Sequence, residues 1–426
     1  MAAKQNQSIT VNKKQKGKQN EVYFSEDLLH TILLNLDVTS LGRFKCVSKP
    51  WNSLISSTRF IRDHSRIHQS NPTMNCYLLC KNYLHYLHER ESKRNGTRLL
   101  LSPPAVTMMH YGSIFKPLPQ QQNRQAIKIG SSSSFKFVFD RQLPSNCDAF
   151  QITCCCDGLI CISECDRLLL WNPCMGKHKT LPLPDPDATF PAQIWDVFGL
   201  GYDSSTDDYK VVRVPSCDDS QVCRNPSVYV MTLKSNLWRK LDIEFPYAVH
   251  ECGQAISTGG SLYWFALIPR MANKVVLIRF DLETEICREL PMPPNLHVQD
   301  ANIINEAAKL GILEGCISSS SLNPSKSYFD IWMLKGEIWI KFMSVPTSIH
   351  KGEDYIYSLR PLFTDNGGLV MHATLFNNRL VNIFGDLLLI YHPKQDTCRK
   401  FHFPGRPDMY PSEVYLNFPS LLSLSI

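Results

Sequence analysis

The chain has 426 residues, 43% of them hydrophobic and 20% charged, with a formal net charge of +6. It is too long for one small domain and too apolar for a disordered one. No apolar run approaches the roughly 18–20 residues of a membrane span and the polar start has no signal-peptide core, so the 16 cysteines read as reduced thiols of the cytoplasm or nucleus rather than a disulfide framework.

Residues 1–20 hold Lys4, Lys13, Lys14, Lys16 and Lys18 and no acid, so this tail supplies +5 of the net charge. A nuclear-import or nucleic-acid patch would look like this, but the composition fits a solvated, disordered leader better, and no specific nucleic-acid role is expected. A helical module follows over 21–65. Ser25 is placed to cap a first helix, with Glu26 and Asp27 putting negative charge in its first turn. Leu28, Leu29, Ile32, Leu33 and Leu36 spread over roughly 140° of that helix. Leu41, Phe44 and Val47 carry a second pattern that Pro50 ends, and Trp51, Leu54, Ile55 and Phe60 form a third stripe. Three short helices in about forty positions cannot bury so many large side chains among themselves, so a partner should cover the surplus.

Residues 66–75 read as a linker. From 76 to 426 the pattern is extended: short runs such as FKFVF, LICI, YKVVRV and SLYWFALI alternate with Gly, Pro, Asn and Asp signals. A repeat runs through them. Asn172, Thr232, Asp281 and His392 each follow an apolar strand end. Seven residues on stand Lys179, Arg239, Arg288 and Arg399, and nine residues on Leu181, Leu241, Leu290 and Phe401, with a proline soon after. A weaker copy starts at Met333, with Ile340 in the basic column. The spacings of 60, 49, 52 and 59 residues are those of kelch-type blades. Dividing the region by this period predicts six to seven blades. Asp157-Gly158, Gly259-Gly260 and Gly367-Gly368 supply turns that need positive φ. The C-terminal stretch EVYLNFPSLLSLSI is expected to close the ring.

Catalytic motifs are not found: there is no phosphate-binding glycine loop, nucleophile elbow or His-Glu-x-x-His. Cys154, Cys155, Cys156, Cys161 and Cys165 include no Cys-x-x-Cys pair and read as strand thiols, so no metal or cofactor is expected. Trp171, Trp238, Trp264 and Trp332 read as blade core. Residues 185–219 hold eight Asp against Lys210 and Arg213. Asp203, Asp207 and Asp208 suit turns; Asp185, Asp187, Asp218 and Asp219, on loops 182–193 and 215–227, are the candidate substrate-binding residues of an acidic rim.

The run Glu26-Asp27-Leu28-Leu29, Ile32-Leu33, Leu36, Ser40-Leu41 and RFKCVSK at 43–49 followed by Trp51 resembles an F-box, in its plant form. Ser25 and Asp37 stand where that family usually has prolines. CCDGLICI at 155–162, LLLWNPCMGKHKTLP at 168–182, FGLGYDSSTDDYKVVRV at 198–214 and VYVMTLKSNLWRKL at 228–241 resemble the F-box-associated, kelch-like domain of plant F-box proteins. The implied fold is a small α-helical F-box followed by a large all-β kelch-like propeller. The implied function is that of a non-catalytic substrate receptor of an SCF-type ubiquitin ligase. The F-box would dock on a Skp-type adaptor, and through it on cullin and RING subunits, while the propeller holds an unidentified protein target. The adaptor face would comprise Phe24, Ser25, Leu28, Leu29, Ile32, Leu33, Leu41, Val47 and Trp51. The alternative is a propeller scaffold whose F-box no longer supports ligase assembly.

Overall fold

The computed structural model describes residues 25–70, 76–82, 106–110, 150–164, 167–183, 197–214, 227–247, 249, 255–268, 274–296, 309–323, 325–349, 354–377, 382–402 and 412–422. The chain divides into two compact units after Ile67.

The first unit has four helices, not three: α1 (Glu26–Leu34), α2 (Val38–Phe44), α3 (Lys49–Ser56) and α4 (Thr58–Ser70). Each begins with the same device. The side chains of Ser25, Asp37, Ser48 and Ser57 accept a hydrogen bond from the backbone N–H three residues on, at 3.3, 2.9, 3.3 and 3.2 Å, satisfying one of the donors a helix start leaves open. Both residues that replace the family's prolines are thus helix caps. Ser57 also ends α3, which splits the expected third stripe and puts Phe60 on a helix of its own. Pro50 lies in the first turn of α3 rather than at the end of α2, where its missing N–H is no loss. Helix α4 runs to Ser70, so residues 66–70 of the expected linker are helical. Leu33, Leu34, Leu41, Ile55, Phe60 and Ile61 form the core. Buried His64 donates through Nε2 to the Leu36 carbonyl at 2.8 Å.

The second unit is built of antiparallel sheets. The first blade holds β3 (Phe150–Cys156), β4 (Leu159–Glu164), β5 (Leu168–Asn172) and β6 (Lys177–Leu181), and the second β7 (Val197–Asp203), β8 (Asp208–Val214), β9 (Tyr229–Thr232) and β10 (Trp238–Lys240). The third holds β11 (Ile256–Thr258), β12 (Ser261–Ile268), β13 (Lys274–Asp281) and β14 (Cys287–Leu290). The fourth holds β15 (Leu310–Leu313), β16 (Cys316–Leu322), β17 (Tyr328–Lys335) and β18 (Ile338–Pro346), and the fifth β19 (Asp354–Asp365), β20 (Gly368–Asn377), β21 (Asn382–His392) and β22 (Thr397–His402). The expectation of six to seven blades is therefore corrected: the described residues form five four-stranded blades. Dividing the length by the period counted every residue from 76 to 426 as blade, those outside the described strands included.

A sixth sheet has three strands and joins the two ends of the unit: β1 (Tyr77–Asn82) pairs on one side with β2 (Val106–His110) and on the other with β23 (Ser412–Asn417). Tyr77 lies opposite Asn417. This sheet packs on the fifth blade through Leu78 and Val414 against Leu362, Phe363, Leu388 and Ile390. Tyr415 packs on the first blade with Ile152, Ile160 and Trp171, and donates from Oη to the Ile152 carbonyl at 2.7 Å. The tail beyond β23 is tied to the same blade. Asn172, fully buried, donates to the carbonyls of Ser420 and Leu422 at 3.1 and 2.9 Å. Gly158, at φ +80°, lies so close that a Cβ there would come 2.4 Å from Ser420 Cβ. The C-terminal stretch closes the ring, as expected.

The repeat has a geometric origin. In four blades the residue seven beyond the anchor pairs with the one two before it: Lys179 with Leu170, Arg239 with Val230, Arg288 with Arg279, Arg399 with Ile390. The short polar anchors hold the turn. Asn172 Oδ1 accepts from Cys174 and Met175 N–H, and Asp281 Oδ1 from Glu283 and Thr284 N–H. Four residues past each anchor, Gly176, Asn236, Glu285 and Asp396 take positive φ. In the fourth blade Lys335 pairs with Ile338 across the two-residue turn Gly336-Glu337, so the structural anchor is Lys335 and the copy counted from Met333 is displaced by two residues. Four first-to-second strand turns have two successive positive φ values: Asp157-Gly158, Gly259-Gly260, Glu314-Gly315 and Asn366-Gly367. The last lies one residue before the expected pair.

Candidate functional site

Helix geometry places Leu28 and Ile32 one turn apart on the same side of α1, and both are 45% exposed. Val47, between α2 and α3, is 60% exposed. Leu29 and Trp51 are half-buried, with Trp51 edge-on to Phe44 at 5.6 Å between ring centroids. Leu33 and Leu41, expected on the adaptor face, fill the core at 1% and 0% exposure; they hold the helices together and offer no surface of their own. Ser25 is exposed and caps α1, and Phe24 lies outside the described residues. Asp37 caps α2 through both oxygens, to the Ser40 N–H and hydroxyl. Partial burial would raise its carboxyl pKa, but these bonds hold it below the usual value. The unit therefore presents an apolar surface over a core that is already closed.

In the second unit, several residues singled out in the sequence have structural work. Asp203 accepts from Ser205 N–H and Oγ and from Thr206 Oγ1, and pairs with Lys210 at 2.8 Å. Asp208 accepts from the Tyr209 and Lys234 N–H groups. Lys210, almost wholly buried, also reaches the third blade, donating to the Leu282 carbonyl at 2.6 Å and to Glu285 at 2.8 Å, where Arg239 joins it. Burial opposes all three charges. The Lys210 bond nevertheless holds Asp203 well below the ordinary carboxylate range, Arg239 and Lys210 lower Glu285, and the two carboxylates raise Lys210. No sequence pattern marks this bridge, because it joins residues of two blades.

Asp185, Asp187, Asp218 and Asp219 lie outside the described residues. The strands that flank their loops are described: Val197 lies opposite Val214, and Arg213 opposite Tyr229. The end of one loop and both ends of the other therefore meet at the same end of the second blade. Trp171 and Trp264 are buried, whereas Trp238 and Trp332 are half-buried. Trp238 donates through Nε1 to the Pro182 carbonyl of the preceding blade at 2.7 Å, which also gives the repeat's proline a part. Cys154 and Cys161 face each other across β3 and β4 and are buried. Burial pushes the Cys155 thiol up to about 12, far from the thiolate a nucleophile or metal ligand needs. Cys165 lies outside the described residues. Among the described residues no group of three or more His, Cys, Asp or Glu side chains could hold a metal ion.

Comparison with known proteins supplies the deciding observation. The F-box associated beta propeller domain family matches residues 109–424, and the F-box domain family residues 24–63. The chain belongs to the F-box proteins that carry an F-box associated β-propeller domain. This F-box protein is similar to a putative F-box protein of Arabidopsis thaliana, 25% identical over 419 residues that cover 94% of each chain. It is also similar to an F-box/kelch-repeat protein of the same plant, 27% identical over 355 residues, 81% of this chain and 84% of the relative. Among solved structures, YjhT aligns with 62% of this chain and 95% of its own at 11% identity and a TM-score of 0.34. The fold described above rests on sheet order and register alone.

Proposed function

We propose that this F-box protein is a non-catalytic substrate-recognition subunit of an SCF-type ubiquitin ligase, acting in the cytoplasm or nucleus. One observation carries the reading: Leu28, Ile32 and Val47 stand 45%, 45% and 60% exposed on a module whose core is complete without them. Large solvent-facing apolar side chains, two of them one turn apart on α1, mark a surface that a partner covers. The partner is a Skp-type adaptor, which links to cullin and RING subunits. The ubiquitin-transfer chemistry belongs to the assembled ligase, and this chain contributes by tethering: a bound target's lysines are held near the charged conjugating enzyme at an effective concentration on the order of millimolar.

Leu28→Ala combined with Ile32→Ala should leave the melting of the helical unit unchanged, because neither side chain belongs to its core. If both are buried at the interface, the pair should lose about 2–4 kcal/mol of binding, roughly thirty- to a thousand-fold in Kd. Titration of a purified Skp-type adaptor against the full chain reads this directly, and wild-type affinity in the double variant refutes the assignment.

The proposed target site lies at the end of the second blade toward which loop 182–193 leads and from which loop 215–227 emerges. Two features support it: the described flanks converge there, and the acidic residues crowd these loops. Replacing Asp185, Asp187, Asp218 and Asp219 by Asn should abolish capture of a Lys- or Arg-rich target segment, while adaptor affinity stays the same. Target binding by the wild type should weaken as salt screens charges beyond about 10 Å. Unchanged binding of the same target by the fourfold variant would move the site elsewhere on the propeller.

A further inference from the structure

The outer edges of the five blades are not alike. Four are blunted: their fourth strands have five, three, four and six residues and carry Lys179, Arg239, Arg288 or Arg399 at the register position described above. Charges on short edge strands resist pairing with another chain. Strand β18 has nine residues and carries Ile340 at that position, opposite Met333. Ile338 and Ile340 are 70% and 48% exposed. Among the described residues no strand pairs with its outer side. Its one cation, Lys341, reaches Asp330 at 2.8 Å while its side chain stays 47% exposed, and Trp339 is fixed by its Nε1 bond to the Pro291 carbonyl at 2.7 Å. Among the described residues the edge is long, largely apolar and unpaired.

We propose that this edge joins two copies of the chain, which pair antiparallel through Ile338-Trp339-Ile340-Lys341 and the turn residue Glu337 that precedes them, across a two-fold axis at Trp339. The sequence is complementary to itself in that register. Glu337 faces the partner's Lys341 and Lys341 the partner's Glu337. Ile338 faces the partner's Ile340, and Trp339 faces the partner's Trp339. Opposite charges and β-branched or aromatic pairs are the combinations that stabilise directly opposed positions. A register shifted by one residue, centred on Ile340, sets Glu337 against the partner's Met343 and loses both charge pairs. The edge stops where the match stops. Trp332 pairs with Lys341 but Ile331 with Met343, so Phe342 is an extra residue, and a bulge of this kind turns a strand away from a straight partner. A two-fold contact of this kind is closed and does not propagate. An extended segment of some other protein is the competing occupant, but nothing in the edge asks for one beyond what β18 itself offers.

Sedimentation velocity of the full chain from low to high micromolar concentration tests this. The wild type should pass from monomer to dimer, and no further. Ile340→Lys puts a charge against the partner's Ile338, and Glu337→Lys sets like charges against each other. Each should weaken dimerisation by roughly tenfold or more with an unchanged melting temperature, since neither side chain is buried. Leu237→Lys is the control: Leu237 is 73% exposed but lies in the β9–β10 turn, so its change should leave the dimer intact. A wild type that stays monomeric throughout overturns the proposal. So does a dimer that survives both edge substitutions, or one that Leu237→Lys disrupts equally.

Discussion

A chain ending at residue 411 is expected to lose the cooperative melt of its β-unit. It lacks Val414, Tyr415, Leu421 and Leu422, all buried, and each is worth roughly 1.5–3 kcal/mol of burial. The sum, about 6–12 kcal/mol, is comparable to the entire stability of an ordinary domain, about 5–15 kcal/mol. The loss is also topological. Without β23 the fifth blade and the first no longer meet through a common sheet, and β1 loses its paired neighbour along one edge. A point change tests the tail together with the β5–β6 turn that Asn172 also holds. Asn172→Ala strands the Ser420 and Leu422 carbonyls in a buried site and should cost about 1–3 kcal/mol. Calorimetry of the three proteins checks both statements, and a truncated chain that melts cooperatively near the wild-type temperature would refute them.

The second large effect is predicted at Lys210. Its side chain is 5% exposed and its partners Asp203 and Glu285 are 0% and 15% exposed, so Lys210→Met leaves two carboxylates with little solvent and no lysine. Breaking a buried pair in this way is expected to cost about 3–5 kcal/mol. Arg239, still on Glu285, offsets part of that, which leaves Asp203 as the main liability. The pH dependence follows from the direction of each shift. Asp203 and Glu285 have lowered folded pKa values, so their contribution is full above the unfolded values of about 4 and disappears as pH falls through the lower folded ones. Lys210 is raised, so its contribution is full below about 10.4 and is lost only as pH rises past that. Between about pH 5 and pH 10 the bridge should therefore contribute a constant amount. Denaturant titrations of wild type and Lys210→Met along the pH scale test it: the difference should shrink in acid, and a difference that grows there would be fatal.

What could be read from the sequence was what is local. Ser25 is a cap because a hydroxyl can reach a backbone N–H three residues away, and that reach is visible in a string of letters. Lys179, Arg239, Arg288 and Arg399 recur because a hairpin with a fixed turn length fixes the register, so one count works in four blades. The same count slipped by two at Met333, where the turn is shorter; Gly336, at positive φ, is the one letter that marks it. The fourth helix escaped notice because Ser57 both ends one helix and starts the next, leaving no gap in the apolar stripe. Burial of Leu33 could not be told from exposure of Leu28 and Ile32, since all three lie in the one stripe of α1, nor burial of Leu41 from exposure of Val47 in the pattern that follows; only the packing of the helices separates them. The Lys210 bridge and the Asn172 tie join residues 75 and 250 positions apart, beyond any periodicity.

The sheet of β1, β2 and β23 bears on how the chain is made. Tyr77 and Asn417 are partners, so a strand that leaves the ribosome among the first must wait for one among the last. Each blade is a run of hairpins between near neighbours and can form as it emerges. The ring cannot, and until β23 arrives one edge of β1 is unpaired and the fifth-blade residues that Val414 covers stay open. Contacts of such high sequence separation form slowly and leave apolar surface and strand edges open in the interval. A premature stop just before Ser412 would thus release a nascent protein with its five described blades present and its seam unsealed, a natural client for chaperones.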